Sequence, residues 1–362
     1  MRGSRALRLL MGGLGLLGVV TFVGMANVAG ATVVKVATVS VGTDPDGLSV
    51  SGTYLWVAIE TQAEVQKIDL ATTTPTVVAT IAVGTTPIGT YVNGTHVWVL
   101  NVGSNSIMKI TAKTDALDAT FTLTARPRAM IILSGYLWVL VGGTLRKLTQ
   151  TTGTVKESIT LGASPVGLVY SDTFIWVADE GDNLVWKVNP TTDVATNFIT
   201  GHHSDAIAAS ATFIWLSNSS VTKIEQINAT TNLGVATIPV GNTPSNIVVV
   251  GDYVYVSNYT STNVSVVTIT SQSVVATITT GKGANGLATD GTYVWVSNST
   301  SNTVSEIGEP YQAPTPPRNV TASAGDSQVV VSWTAPLSTG GKTITGYKVA
   351  LFLSMNSPCG QF

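Results

Sequence analysis

Tyr293-Val294-Trp295-Val296-Ser297-Asn298 is the last and cleanest copy of a phrase that the chain repeats. The earlier copies are Tyr54-Leu55-Trp56-Val57, His96-Val97-Trp98-Val99, Tyr136-Leu137-Trp138-Val139, Phe174-Ile175-Trp176-Val177, Phe213-Ile214-Trp215-Leu216 and Tyr253-Val254-Tyr255-Val256. From Trp56 to Trp295 the third residues advance by 42, 40, 38, 39, 40 and 40 residues. A period near 40 built from strand-like runs is the mark of a β-propeller with one four-stranded blade per repeat. Seven copies predict an all-β, seven-bladed ring.

Around each phrase the repeat reads as four strands. In the sixth copy a turn at Gly241-Asn242-Thr243-Pro244 precedes strands over 245–250, 253–257, 264–270 and 274–278. Pro45, Pro87, Pro127, Pro165 and Pro244 fall in the loop between one repeat and the next. A residue with no amide donor suits a loop and would harm a central strand. The second strand of each repeat is almost continuously apolar, as expected where neighbouring blades cover both faces. Its Trp has the volume to fill the wedge between blades and reads as packing. Lys67, Lys109, Lys147, Lys187 and Lys223 recur on the third strand and read as solvent-facing charges that guard against edge pairing.

The last repeat has three strands and then runs into Glu309-Pro310-Tyr311-Gln312-Ala313-Pro314. Val33 to Ser40 matches the missing fourth strand, so the N-terminal segment should complete the seventh blade beside residues 303–307. Such closure removes an open sheet edge.

Of the 362 residues, 44% are hydrophobic and only 10% charged, with a formal net charge of -2. A globular chain commonly carries about 25% charge. No basic stripe is present to neutralise phosphates, which argues against nucleic-acid binding, and no Lys/Arg cluster suggests a membrane surface. Cys359 is the one cysteine, so no intrachain disulfide forms. Arg2, Arg5 and Arg8, the apolar run Leu9 to Val23 and the small residues Ala29-Gly30-Ala31 read as an export signal over residues 1–31. Retention as an anchor is the competing reading. The expected organisation is therefore a leader (1–31), a propeller (32–309), a Pro-rich linker (310–318) and a further segment (319–362), in a secreted or cell-surface monomer.

In a propeller the loops entering the first strand and leaving the second share one face around the central channel, the usual place for a ligand. The residues after the loop Pro, or its equivalent, are Asp46, Ile88, Arg128, Val166, Asp205, Ser245 and Asn285. Varied chemistry at one position of a fixed framework nominates Asp46, Arg128, Asp205, Ser245 and Asn285 as ligand-binding residues. His202 and His203 join them, because His202-His203-Ser204-Asp205 replaces the usual loop phrase in the fifth repeat. Two imidazoles and a carboxylate can bind a metal or move protons, yet no second cluster completes a site. His96 stands in a slot otherwise aromatic and reads as packing. Asp179, Asp182 and Asn183 form an oxygen-rich loop that could hold Ca²⁺, although it lacks the full EF-hand pattern and Asp/Asn/Gly clusters are ordinary turn chemistry. No catalytic residue and no other cofactor is nominated, since nucleophile elbow, phosphate loop, zinc pair and dinucleotide fingerprint are all missing from the sequence.

The phrases Gly-x-x-Pro-x-Gly, Tyr-Val-Trp-Val-Ser-Asn and Asn-x-Val-x-x-Ile over residues 33–307 resemble the YVTN-type secreted bacterial propellers, close in style to surface-layer repeats. That resemblance implies a seven-bladed fold in an extracellular setting more than a reaction. After the ring, Asn319-Val320-Thr321-Ala322, Trp333, Pro336, Gly340-Gly341 and Ile344-Thr345-Gly346-Tyr347 resemble the first half of a fibronectin type III domain. A whole sandwich of this kind needs about 100 residues, so the segment reads as a partial domain of a longer parent.

Two functions follow. The first is a non-catalytic module presenting its polar rim to an extracellular glycan, peptide or protein. The second is an enzyme similar to the streptogramin lyases, which are also seven-bladed. Those carry a Trp-Phe-Thr-Glu phrase closing the second strand and a His/Glu/metal site at the channel. Here the equivalent strand ends are Ile59, Asn101, Val141, Asp179, Asn218, Asn258 and Asn298, with Glu60 one residue displaced.

Overall fold

The computed structural model describes residues 5–10, 33–72, 74–199, 204–308, 317–325 and 328–335. Residues 33–309 form one compact unit, and residues 1–32 with 310–362 form another. The first unit holds seven antiparallel four-stranded sheets. Blade 1 runs Pro45–Ser51, Tyr54–Ile59, Glu64–Asp69 and Thr76–Ala82, and blades 2 to 6 repeat that order up to Thr279. In blade 7, Ala284–Thr289, Val294–Asn298 and Thr303–Gly308 come from the end of the unit. Its fourth strand is Val34–Ser40, paired with Thr303–Gly308 from Val34 opposite Gly308 to Ser40 opposite Thr303. Successive first strands touch one another, and the first strand of blade 7 touches that of blade 1. The first strands therefore line the centre of a closed ring.

Trp56, Trp98, Trp138, Trp176, Trp215 and Trp295 are at most 1% exposed. Trp98 packs on Leu137, Val139 and Leu148 of blade 3, Trp138 on Ile175, Val177 and Val188 of blade 4, and Trp215 on Val254, Val256 and Val267 of blade 6. Each ring faces the blade that follows. Tyr255 does the same work against Val294, Val296 and Ile307. Removing such a side chain costs about 3–5 kcal/mol through lost burial and an unfilled cavity.

The lysines correct the sequence reading. Lys67, Lys109, Lys147 and Lys187 pair across the sheet with Trp56, Trp98, Trp138 and Trp176. Their ammonium groups stand 4.8, 5.4, 4.9 and 4.5 Å from those indole rings. Lys67 is 5% exposed, and its Nζ donates to Ala112 O at 3.0 Å and to Asp115 Oδ1 at 2.7 Å in blade 2. Lys147 reaches Pro190 O and Asp193 Oδ1 of blade 4, and Lys187 reaches Ala229 O of blade 5. Lys67, Lys147 and Lys187 thus tie blades together, while Lys109 pairs with Asp118 of its own blade. Lys223 does not belong with them: it opens its strand, is exposed, and pairs with Asn218. The fifth equivalent position is Gln226, opposite Trp215.

His96 packs at the edge of Trp98, with ring centroids 6.4 Å apart, and bonds Thr95 through Nδ1. Burial, and then the Lys109 ammonium, hold its pKa below the usual imidazole value.

In the second unit Arg318–Gly325 and Gln328–Thr334 form a hairpin with Val331 and Trp333 buried. This is where the first two fibronectin-like strands are expected; the third, over 344–349, lies outside the described residues, as do residues 310–316 of the linker, Cys359 and most of the leader. Arg5–Leu10, read from sequence as part of the export signal, is a strand antiparallel to Gln328–Thr334. No helix among the described residues is long and apolar enough to cross a membrane.

Candidate functional site

The mouth of the ring is built by hydrogen bonds between the two loop sets that flank it. Glu60 N donates to Asp44 O, Val102 N to Thr86 O, Glu180 N to Ser164 O, Tyr259 N to Thr243 O and Ser299 N to Gly283 O. In blades 1, 2, 4, 6 and 7 the loop entering the first strand and the loop leaving the second thus lie together at one end of the ring, the 179–183 loop among them.

The second-strand ends hold this face in place. Asn298 accepts from Gly281 N at 3.0 Å and donates to Thr303 Oγ1 and Ser305 Oγ. Asn258 donates to Asn263 Oδ1 and Ser265 Oγ. Asp179 Oδ1 accepts from Ser164 N and Gly181 N, and its Oδ2 from the Trp186 indole. Asp182 Oδ2 accepts from Ala163 N at 2.8 Å. A Cβ added at Gly84, Gly162, Gly241 or Gly281 would run into Asn101, Asp179, Asn258 or Asn298, which is why the loop needs glycine there. In the loop nominated for Ca²⁺, Asp179 and Asp182 thus accept from N–H donors of the turn.

The ladder breaks register just after the loop position in blades 1, 2, 3, 4, 6 and 7, between Pro45 and Leu48, for example, and between Ala284 and Leu287. Such bulges re-aim a side chain, and Asp46, Arg128, Ser245 and Asn285 sit in them. Two residues past the Pro position, Gly47 and Gly286 lie where a Cβ would meet the neighbouring backbone, Ile88 O at 2.6 Å and Asp46 O at 2.6 Å. Gly47, Gly89, Ala129, Gly167, Ala206 and Gly286 keep this inner circle small; Asn246 is the exception, and its N–H is taken by Ser257 Oγ at 3.1 Å.

The structure joins some of the sequence-nominated residues and leaves others apart. Asn285 Nδ2 donates to Asp46 Oδ1 at 2.8 Å across the seam between blades 7 and 1. Ser245 bonds Ser257 Oγ and Ala284 O, so it braces blades 6 and 7. Asp205 accepts from Ser219 N and Ser219 Oγ of its own blade. Arg128 is exposed. His202 and His203 lie outside the described residues.

Blade 1 also contributes carboxylates that the sequence does not nominate. Burial raises the pKa of Asp46 to about 7, and the negative charges of Glu60 and Asp44 push it the same way. Burial, then Asp44, also raises Glu60. Tyr91 stands close enough for Asp46 to act on it; burial pushes its phenol up to about 12 against a hydrogen bond from the Met130 backbone. The backbone of Asp44 donates to Asn302 Oδ1 at 3.1 Å in blade 7. Asp46 is thus an acid poised near neutrality, held by an amide donor and flanked by two further acids. Glu60 and Asp44 could have been found from sequence by reading both loops of one blade together.

No protein-family model matches the chain, and no curated protein matches it by sequence. Solved structures do match its fold. One described as a streptogramin B lyase is 15% identical at a TM-score of 0.63, covering 74% of this chain and 94% of that one. The hydrazine synthase of Kuenenia stuttgartiensis is 15% identical at a TM-score of 0.65, covering 73% and 95%. A catalytically inactive virginiamycin B lyase from Staphylococcus aureus, solved with quinupristin, is 16% identical at a TM-score of 0.65, covering 76% and 99%. Enzymes of different chemistry share this architecture, so the likeness establishes the propeller and nothing finer.

Proposed function

We propose that this chain is a secreted or cell-surface binding propeller whose channel mouth receives an extracellular glycan, peptide or protein. The observation that carries the reading is the seam between blades 7 and 1. There Asp46 and Asn285 present a bonded acid–amide pair on rigid first strands, with Asp44 and Glu60 alongside. Exposed Arg128, at the equivalent position of blade 3, adds a donor fork. Acid, amide and guanidinium groups on a preformed framework suit recognition of a polyhydroxylated or amide-rich ligand. Ser245 and Asp205 support the framework rather than the ligand, since their oxygens already serve neighbouring groups.

The competing reading is a lyase like those named above. It needs a Glu closing a second strand. Those ends are Ile59, Asn101, Val141, Asp179, Asn218, Asn258 and Asn298, and the Asn and Asp side chains among them are buried, several of them spent on loop bonds. Glu60 lies beyond its strand end, in the loop.

Screening the protein against cell-wall glycans and peptides, with Asp46→Ala and Arg128→Ala beside it, tests the first reading. Binding lost in both variants while each keeps the folded circular dichroism of the parent supports it. Metal-dependent opening of a cyclic depsipeptide of the streptogramin B class supports the lyase and defeats the binding module.

A further inference from the structure

Gln328–Thr334 is the middle strand of a three-stranded sheet whose outer strands come from opposite ends of the chain. On one side lies Arg318–Gly325, with a register break between Arg318 and Thr321. On the other lies Arg5–Leu10, unbroken from Arg5 opposite Trp333 to Leu10 opposite Gln328. A two-stranded hairpin is marginal in water, and a third strand matters for its stability. Removal of residues 1–31 as a leader would take that third strand away.

The edge then uncovered reads Gln328-Val329-Val330-Val331-Ser332-Trp333-Thr334. It carries no charge, proline or glycine, the usual devices that blunt an edge. The outer strands of the ring differ. Those of blades 1, 2, 3, 5, 6 and 7 each have a register break against the third strand, and a bulge twists an edge away from partners.

We propose that in the leader-free chain this edge pairs with the same strand of a second copy, antiparallel across a twofold axis. The pairing is self-complementary, as a twofold interface requires, and repeats the antiparallel bonding that Arg5–Leu10 already makes there. Centred on Val331, it sets Val331 against its counterpart, Val329 against Trp333 of the second copy, and Val330 against Ser332. Val331 and Trp333 are buried in the single chain, and side chains two apart share a face. The joined sheet therefore extends one apolar face without a mismatch. The leader-free chain, expected from its sequence to be a monomer, would then be a dimer.

Sedimentation of two chains, residues 1–362 and 32–362, tests this. The first should run at the mass of one chain and the second at twice that mass. Leu7→Pro with Leu9→Pro in the full chain should break the covering strand and also produce the dimer. Val330→Lys in the 32–362 chain places like charges on the shared edge and should return it to one chain. A 32–362 chain that stays monomeric overturns the proposal, as it would if residues 336–362 cover the edge instead. So does a dimer that Val330→Lys leaves intact, or one formed equally by the unaltered full chain.

Discussion

Blades 1 to 4 and blades 5 to 7 share one backbone plan, yet their seams are fastened differently. In the first group a lysine lies over each Trp, and its reach is decided by one residue in a turn. That residue has a left-handed backbone and is Asp115 in blade 2, Asp193 in blade 4 and Asn232 in blade 5, with φ of 59°, 57° and 58°. Where it is Asp, the preceding blade's lysine pairs with it: Lys67 at 2.7 Å and Lys147 at 3.3 Å. In blade 3 it is Gly153, and Lys109 turns back to Asp118 of its own blade at 2.6 Å. In blade 5 it is Asn232, and Lys187 settles for a backbone carbonyl. The later blades carry Gln226, Val266 and Glu306 at the lysine position. There Gln226 accepts from Gln272 Nε2 of blade 6 at 2.9 Å. The repeat thus keeps a shape and varies the fastening, because the Trp, replaced by Tyr255 in blade 6, fills the wedge.

If the Trp is the common element, its loss should hurt every seam alike. Trp98→Ala and Trp215→Ala, one from each group, should each destabilise by about 3–5 kcal/mol in urea unfolding. A Trp215→Ala variant within about 1 kcal/mol of the parent would show that the later blades hold together by other means.

The seam from blade 7 to blade 1 gathers carboxylates at the channel mouth, and it should lose stability as pH rises. Asp46 binds its proton more tightly folded than unfolded. Its contribution is therefore fully present below the unfolded carboxylate value and is lost as pH rises through about 7. Asp46→Asn should leave stability near pH 4 almost unchanged and raise it above pH 8. The gain should be a few kcal/mol at most, because a tenfold change in proton affinity between the folded and unfolded chain is worth about 1.4 kcal/mol. Thermal melts of both proteins from pH 4 to 9 check this. A gain of the same size at both ends would mean that the acid carries no strain.

Lys67→Met keeps the stem over Trp56 and removes the charge, leaving Ala112 O and Asp115 without their donor. The expected loss is about 1–3 kcal/mol. Lys223→Met, on an exposed position of blade 5, should change stability by less than about 0.5 kcal/mol. Equal effects would return both lysines to the role of surface charges.

This contrast also marks what a sequence can disclose. The ring, its seven blades and the burial of Trp56 through Trp295 follow from a period of about 40 residues, because each repeat dictates its own strands. The lysine ties do not, since Lys67 and Asp115 belong to different repeats and meet only when the blades stack. Lys223 looks equivalent because it is a lysine on a third strand, although it lies three residues before the true position at Gln226. At the mouth, one recurring position nominates Asp46 and Asn285 singly. Their contact across 239 residues of chain, and the acids around Asp46, depend on ring closure and on loops of different strands.

The smallest gain would come from repairing the incomplete tie between blades 4 and 5. Asn232 already has the left-handed backbone that Asp115 and Asp193 adopt, and Asn and Asp both tolerate it. Its Oδ1 is buried without a hydrogen-bond partner. Lys187 Nζ, 4.5 Å from the Trp176 ring, lies against the same turn through Ala229 O at 3.1 Å. Asn232→Asp changes no volume and offers this ammonium the carboxylate that Lys67 and Lys147 have. The pair is partly buried, so the gain should be roughly 0.5–1 kcal/mol, above that of a fully exposed pair only if the carboxylate stays bonded. It should be present at neutral pH and vanish as pH falls below the carboxylate range, because the protonated acid no longer attracts the lysine. Urea unfolding of the parent and of Asn232→Asp at pH 7 and pH 3 reads both arms. No gain at pH 7 would mean that the carbonyl already satisfies Lys187, and that the Asp in blades 2 and 4 serves its own turn rather than the seam.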